Sequence, residues 1–270
     1  MTNFAVSNIA LSPYDHASEL GQLGALGLTG IEVAPSRVWR DTWQGLSSAD
    51  VEAYRKQVEA AGLKVIGLHS LFFDHPDMGL FKEPDTRIRT MDFLVHLSAL
   101  CRDLGGHTLI YGGGRKRGGV SPEMAKTETI DFCGELSRRM EDHGTCLCFE
   151  PLGPKDTDFI NSTYEALEIV EAINHRCVRT QLDAKALVEN NEADAEVFDA
   201  AAPSLVHFHA NEPGLNVLGH SGQIDHAAFG GYLRDIGYDG YVSIEQRMFN
   251  QDDPLADVRK SITVLQECYQ

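Results

Sequence analysis

Eight short runs of β-branched and apolar residues recur along the chain, each followed by a polar loop and then an amphipathic helical stretch. They are FAVSNIA (4–10), GIEVAP (30–35), LKVIGLHS (63–70), HTLIYGG (107–113), TCLCFEP (145–151), VRTQLDA (178–184), LVHFHAN (205–211) and YVSIEQR (241–247). Strands alternating with helical crossovers build a parallel sheet. Eight such βα units in 270 residues predict a (β/α)8 TIM barrel, an α/β fold in one domain over residues 1–270. An open doubly wound sheet is the competing arrangement. It is disfavoured because no GxGxxG follows an early strand, and the GGG at 112–114 is not that fingerprint.

The helical stretches carry their own start and stop signals. Ser121-Pro122-Glu123 offers a cap followed by proline at the first helical position, and Ser162 with Glu165 matches a capping box. EAAGLKV, CRDLGGHT and LRDIGYDGYV each place glycine between a helix and the next strand. The sixth unit expects only a short helix within ENNEADAEVFDAAAP. The apolar face of FLVHLSAL suits the barrel core and a homo-oligomer interface equally well.

Charge limits the partners. A formal net charge of -17 argues against nucleic acid, because a protein that grips a phosphate backbone needs a basic face. One short basic cluster stands out, Arg115-Lys116-Arg117. No apolar run reaches the roughly 18 residues of a membrane span, and the N-terminus MTNFAVSNIALSPYD lacks a signal-peptide pattern. Six cysteines without CxxC spacing, two of them alternating as Cys146-Leu147-Cys148, fit a reduced cytoplasmic protein.

In a barrel of this kind the polar residues that end the strands form the site. Here they are Glu32, His69, the 112–117 loop, Glu150, Asp183, His209 with Asn211 and Glu212, and Glu245. Glu150, Asp183, His209 and Glu245 close four consecutive strands. Three carboxylates crowded in one neighbourhood would force some to stay protonated unless a cation joined them. A carboxylate-rich set with one imidazole suits Mn²⁺, Mg²⁺ or Co²⁺ at least as well as Zn²⁺, and one divalent ion is expected. His207 shares a strand face with His209, which is favoured because it lies nearer the strand end. Glu32 reads as a buried partner for a cation.

The motifs CFEPLG, QLDAKA, HFHANEP and GYVSIEQ, in this order along nearly the whole chain, resemble the xylose isomerase-like sugar isomerase and epimerase barrels. The resemblance implies that Glu150, Asp183, His209 and Glu245 bind one metal, Mn²⁺ foremost. It also implies that Glu150 and Glu245 exchange protons with a sugar through an enediolate. Asp156 stands six residues after Glu150, where family epimerases carry a substrate-touching glutamate. Further substrate contacts are expected from His69, Arg115, Lys185, Glu212 and Arg247. The YGGGRKRGG stretch suggests a cradle for an anionic sugar, since glycine frees backbone amides and arginine presents a planar fork.

The pattern breaks at Ala186, where many members carry histidine three residues after the strand-six aspartate. The multi-zinc apurinic endonucleases need that histidine and others like it, so a nuclease reading fails here. Lys185, one residue earlier, is placed to do part of the missing work. Two other readings stay open beside the isomerase: a metal-dependent dehydratase of a keto-polyol, and a non-catalytic sugar-binding barrel.

Overall fold

The computed structural model describes residues 3–270. Its strands are β1 (Asn3–Ser7), β2 (Gly30–Val33), β3 (Lys64–Leu68), β4 (Thr108–Tyr111), β5 (Cys146–Phe149), β6 (Val178–Asp183), β7 (Leu205–Ala210) and β8 (Tyr241–Ile244). All neighbours pair in parallel in sequence order, and β8 closes onto β1. The surrounding helices are α1 (Ala17–Leu23), α2 (Ser48–Ala60), α3 (Pro84–Asp103), α4 (Pro122–Arg139), α5 (Thr163–Ile173), α6 (Ala184–Glu189), α7 (Ala195–Ala201), α8 (His226–Asp235) and α9 (Leu255–Tyr269). This is the TIM barrel that the eight runs predict. No helix among the described residues is long and apolar enough to cross a membrane.

The caps act where the sequence places them. Ser121 accepts the Met124 amide ahead of Pro122, and Ser162 and Glu165 form a reciprocal capping box. Two elements differ from expectation. The first strand stops at Ser7, whose hydroxyl accepts the Ile9 amide at 3.2 Å and starts a 3₁₀ turn over Asn8–Ala10. The sixth unit holds two helices rather than one. Asp183 caps α6 immediately after β6, and Asp194 caps α7. The FLVHLSAL stretch turns Phe93, Leu94, Leu97 and Leu100 into the core.

The main apolar core lies between the outer faces of the strands and the helices. Val6, Ile31, Leu109, Phe149, Phe208 and Ile244 pack there against Leu20, Val58, Phe132, Val170, Phe229 and Ile262. The barrel interior is polar by contrast. Ser7, Glu32, Gln181, His207, His209 and Ser243 are all fully buried, where branched aliphatic side chains are the usual filling. Two β-bulges set this arrangement. One shifts β3 against β2 and brings Glu32 opposite Gly67; the other shifts β7 against β6 and brings Asp183 opposite His209. Bulges of this kind re-aim side chains at the mouths of barrels.

Helices α8 and α9 touch through a bare backbone. A Cβ at Gly230 would lie 1.9 Å from the Cys268 carbonyl oxygen, whereas one at Gly231 would meet only the far end of Arg234 at 3.9 Å. Gly230→Ala should therefore destabilise the protein by about 2 kcal/mol, lowering Tm by about 4–8 °C. Thermal unfolding followed by circular dichroism checks this, with Gly231→Ala expected to leave Tm unchanged or slightly raised.

Candidate metal centre and active site

The C-terminal ends of β5 to β8 bring four predicted residues together. Ligand-capable atoms of Glu150, Asp183, His209 and Glu245 lie within 4.8 Å of one another. His209 Nδ1 is the hub, at 3.0 Å from Glu150 Oε1, 3.6 Å from Glu245 Oε2 and 3.7 Å from Asp183 Oδ2.

The other imidazole nitrogen decides what Nδ1 can do. His209 Nε2 sits 3.0 Å from Glu32 Oε2 and 3.2 Å from Oε1. Glu32 is fully enclosed and also accepts the Ser243 hydroxyl at 2.9 Å. Burial alone would push the Glu32 carboxyl up. The imidazoles of His207, His209 and His69 outweigh that and hold it well below the ordinary value. An anionic Glu32 accepts a hydrogen bond from Nε2–H, which holds the proton there and leaves the Nδ1 lone pair facing three carboxylates. Carboxylate–histidine pairs orient metal ligands in this way. With Nδ1 unprotonated, four acceptors face one point, and a divalent cation satisfies them all. Without one, Glu32 first and then the cluster carboxylates outweigh burial and keep His209 protonated, its pKa well above the usual imidazole value. The donor set fits a metal.

Neighbouring amides hold the cluster in place. Gln181 donates from Nε2 to Glu150 Oε1 at 2.5 Å and lies 3.2 Å from His209 Nδ1. Asn211 Nδ2 bridges Asp183 Oδ2 at 2.5 Å and Glu245 Oε2 at 2.9 Å, while its Oδ1 accepts the Lys185 amide. Sequence reasoning placed Asn211 at a strand end without a role and passed over Gln181. Period-two alternation was the available signal, because Gln181 precedes Asp183 and Asn211 follows His209 on the same inward faces. Asp183 has two tasks: Oδ1 accepts the Ala186 amide at 2.8 Å as the cap of α6, and Oδ2 faces the cluster.

The two glutamates differ electrostatically. Burial, together with the charges of Glu245 and Asp183, raises the Glu150 pKa against the pull of His209. Burial opposes ionisation of Glu245 too, but His209, His69 and Asn211 bring it down to about 2. His69 lies 3.5 Å from Glu245 Oε1 through Nδ1 and 2.5 Å from the Ser7 hydroxyl through Nε2.

A cavity of 430 Å³ opens over the cluster, lined among others by Glu150, Asp156, Asp183, Lys185, Glu245 and Arg247. Lys185 Nζ reaches Asp156 at 2.6 Å and Glu189 at 3.6 Å, so it pairs across the rim. Strand β8 ends at Ile244, three residues before Arg247, yet Arg247 still lines the cavity. Its guanidinium donates twice to the Gly214 carbonyl, at 3.0 and 2.7 Å. A second cavity of 400 Å³ meets the first at Glu150 and Glu245 and is walled by His69, Phe72, Phe73 and the 112–114 glycines.

Two expected substrate contacts are placed elsewhere. Arg115 is buried and does not line these cavities. Its fork donates to the carbonyls of Phe159, Ile160, Glu150 and Tyr111, tying β4 to the loop after β5. Desolvation brings its pKa down to about 10. In the YGGGRKRGG stretch, expected as an anion cradle, backbone carbonyls occupy the Arg115 fork and Gly112 makes room for Glu150. A Cβ at Gly112 would lie 2.0 Å from Glu150 Oε2. Glu212 is likewise buried, accepting from Gly219, Ser221 and His226, and it closes the loop after β7 rather than lining the cavity.

The xylose isomerase-like TIM barrel profile matches residues 20–268. The chain belongs to this family. Among curated members, it is 25% identical over 242 residues to the D-psicose 3-epimerase of Enterocloster bolteae, covering 86% of this chain and 76% of that protein. It is 29% identical over 129 residues to the D-psicose 3-epimerase of Ruminiclostridium cellulolyticum, a match spanning 44% of each. Among solved xylose isomerase-like barrels, the D-psicose 3-epimerase with D-tagatose from Clostridium cellulolyticum H10 superposes over 100% of both chains, with TM-score 0.84 and 17% identity. The 3-keto-D-glucoside 4-epimerase from E. coli superposes with TM-score 0.82 and 19% identity, covering 99% of this chain and 100% of that one.

If Glu32 sets the His209 tautomer, Glu32→Gln should weaken divalent-ion affinity by about 10–100-fold. Calorimetric titration of the purified protein with Mn²⁺ measures it. Unchanged affinity in a folded variant would remove Glu32 from the centre.

Proposed function

We propose that the protein is a metal-dependent isomerase or epimerase of a sugar or sugar derivative, working by proton transfer through an enediolate. The supporting observation is the placement of Glu150 and Glu245. They approach one cavity from β5 and β8, around a shared imidazole. Two carboxylates reaching one bound sugar from different strands suit complementary acid and base work. The relatives named as sugar 3-epimerases support the same reading.

In this proposal Glu150, Asp183, His209 and Glu245 hold one divalent ion, with Mn²⁺ the leading choice for a carboxylate-rich set. When bound, the ion polarises the substrate oxygens and acidifies the C–H between them. Glu245, held beside His69 and Asn211, takes the carbon-bound proton. Glu150 delivers one from the opposite side. Gln181 and Asn211 hold the two carboxylates in place by hydrogen bonds. His69, Lys185, Asp156 and Arg247 contact the substrate at the walls and rim. The free cysteines, five of the six buried, suit a reducing cytoplasm.

A lyase reading draws on one feature, the Lys185–Asp156 pair beside Ala186. An ammonium held at the cavity rim could protonate a departing hydroxyl, which would turn the same intermediate toward dehydration.

Glu150→Gln and Glu245→Gln should each lower turnover about 10²–10⁴-fold while leaving Tm near that of the parent. Assays in deuterated water with D-psicose, D-tagatose and D-fructose as first substrates read out the reaction type. Deuterium on carbon without loss of water supports the isomerase, and a product lighter by one water supports the lyase. Sugar binding that survives both substitutions with no turnover in the parent protein would mark a non-catalytic barrel.

A further inference from the structure

A third cavity of 410 Å³ continues from the metal cavity over the β1, β2 and β8 side of the barrel mouth. It shares Leu215 and Arg247 with the metal cavity and Ser70 and Phe73 with the glycine-walled one, so the three form one cleft. Its surface is of a different kind. Ile9, Ala34, Phe73, Leu215 and Met248 supply an apolar lining, and Phe73 is 76% exposed. The two arginines at its edge, Arg37 and Arg247, are anchored to the Leu11 and Gly214 carbonyls.

The metal cavity alone already falls within the roughly 300–1,000 Å³ of a complete small-molecule site. A sugar fits there, and the apolar lobe is additional space. Ser36 and Ser70 also line the lobe, but a second sugar there would still turn most of its hydroxyls against Ile9, Ala34, Phe73, Leu215 and Met248, and each unmade hydrogen bond costs free energy. An apolar group loses nothing there, and a flat one could stack on Phe73 and under the guanidinium planes. Backbone strain points to the same place. Ser70 and Leu215 are non-glycine residues held at φ 52°, and both line the lobe. Such strain persists only where the surroundings enforce it, and it gathers at ligand clamps. Leu215 is fixed by its amide to Glu212 O at 2.8 Å and by the Arg247 amide to its own carbonyl at 2.9 Å.

We propose that the natural substrate is a sugar derivative joined to an apolar, aglycone-like group, with the sugar over the metal cluster and the aglycone in the Phe73–Leu215 lobe. This rests on the isomerase reading for the sugar end and on the lobe for the rest.

The experiment compares 4-nitrophenyl β-D-glucopyranoside with methyl β-D-glucopyranoside by calorimetry on the full chain, with and without Mn²⁺. The aryl glycoside should bind at least about tenfold more tightly. Phe73→Ala should erase most of that preference while leaving Mn²⁺ affinity and Tm unchanged. Leu215→Ala serves as a second probe from the opposite wall. Equal affinities, no binding of either glycoside, or a preference untouched by both substitutions overturns the proposal. It is also overturned if sedimentation shows a dimer that Phe73→Glu dissociates, because the lobe is then an interface between two copies. An aryl preference that persists although Mn²⁺ binds no differently to Asp183→Asn supports the lobe and sinks the metal-isomerase reading instead.

Discussion

A carboxylate with no access to water sits in the middle of the barrel, and the hydrogen bond between Glu32 and His209 explains why the chain tolerates it. Burying a lone charge costs several kcal/mol even after relaxation, and only close, well-aligned partners offset that cost. Glu32 has Ser243 and two imidazoles around it, reaching into the barrel from β8 and β7. Its placement fixes which nitrogen of His209 carries the proton, and the other nitrogen then defines where three carboxylates converge. The bulges between β2 and β3 and between β6 and β7 serve this arrangement, since both lie at the level of Glu32, Gln181 and His209. The rest of the site is built outward from that bond.

The loops above the cluster are held by side chains that grip backbone. Arg115 fastens the loop after β5, Asp158 accepts the Arg117 and Gly118 amides, and Glu212 gathers the loop after β7. Loops carry the specificity of a barrel, yet a loop without such ties would place Lys185, Asp156 and Leu215 poorly. Charged residues that read as substrate contacts in a linear sequence are therefore partly the framework on which contacts are mounted.

This accounts for what the sequence disclosed and what it withheld. Strand count, order and the four converging residues were legible because they rest on period-two alternation and on the position of each residue relative to a strand end. The backbone-gripping roles of Arg115 and Glu212 were not legible, because a charged loop residue carries no signal of whether it faces solvent, substrate or a carbonyl. The helix expected within ENNEADAEVFDAAAP is α7, but the additional α6 was missed for a similar reason. AKALVE follows a strand without a break, and the Asp183 side chain folding back onto the Ala186 amide is what starts a helix there. Glu32 was recognised as needing a positive partner, but that its partners would be imidazoles 175 and 177 positions away is a property of closure, which no local window contains.

Asp183 divides one carboxylate between two tasks, and that division constrains how the protein can change. One oxygen starts α6, and the other faces the cluster from which the chemistry is proposed to run. Helix α6 carries Lys185 and Glu189, both on the cavity wall. A mutation that repositions the helix to suit a new ligand also moves an anchor of the cluster, and one that retunes the cluster also moves the wall. Along this edge of the barrel, selectivity and reactivity must evolve together. On the Phe73 side the tie is indirect: Ser70 Oγ meets His69 Nδ1, and that nitrogen faces Glu245, so a change at Ser70 reaches the centre through one imidazole while Phe73 itself is free to diversify.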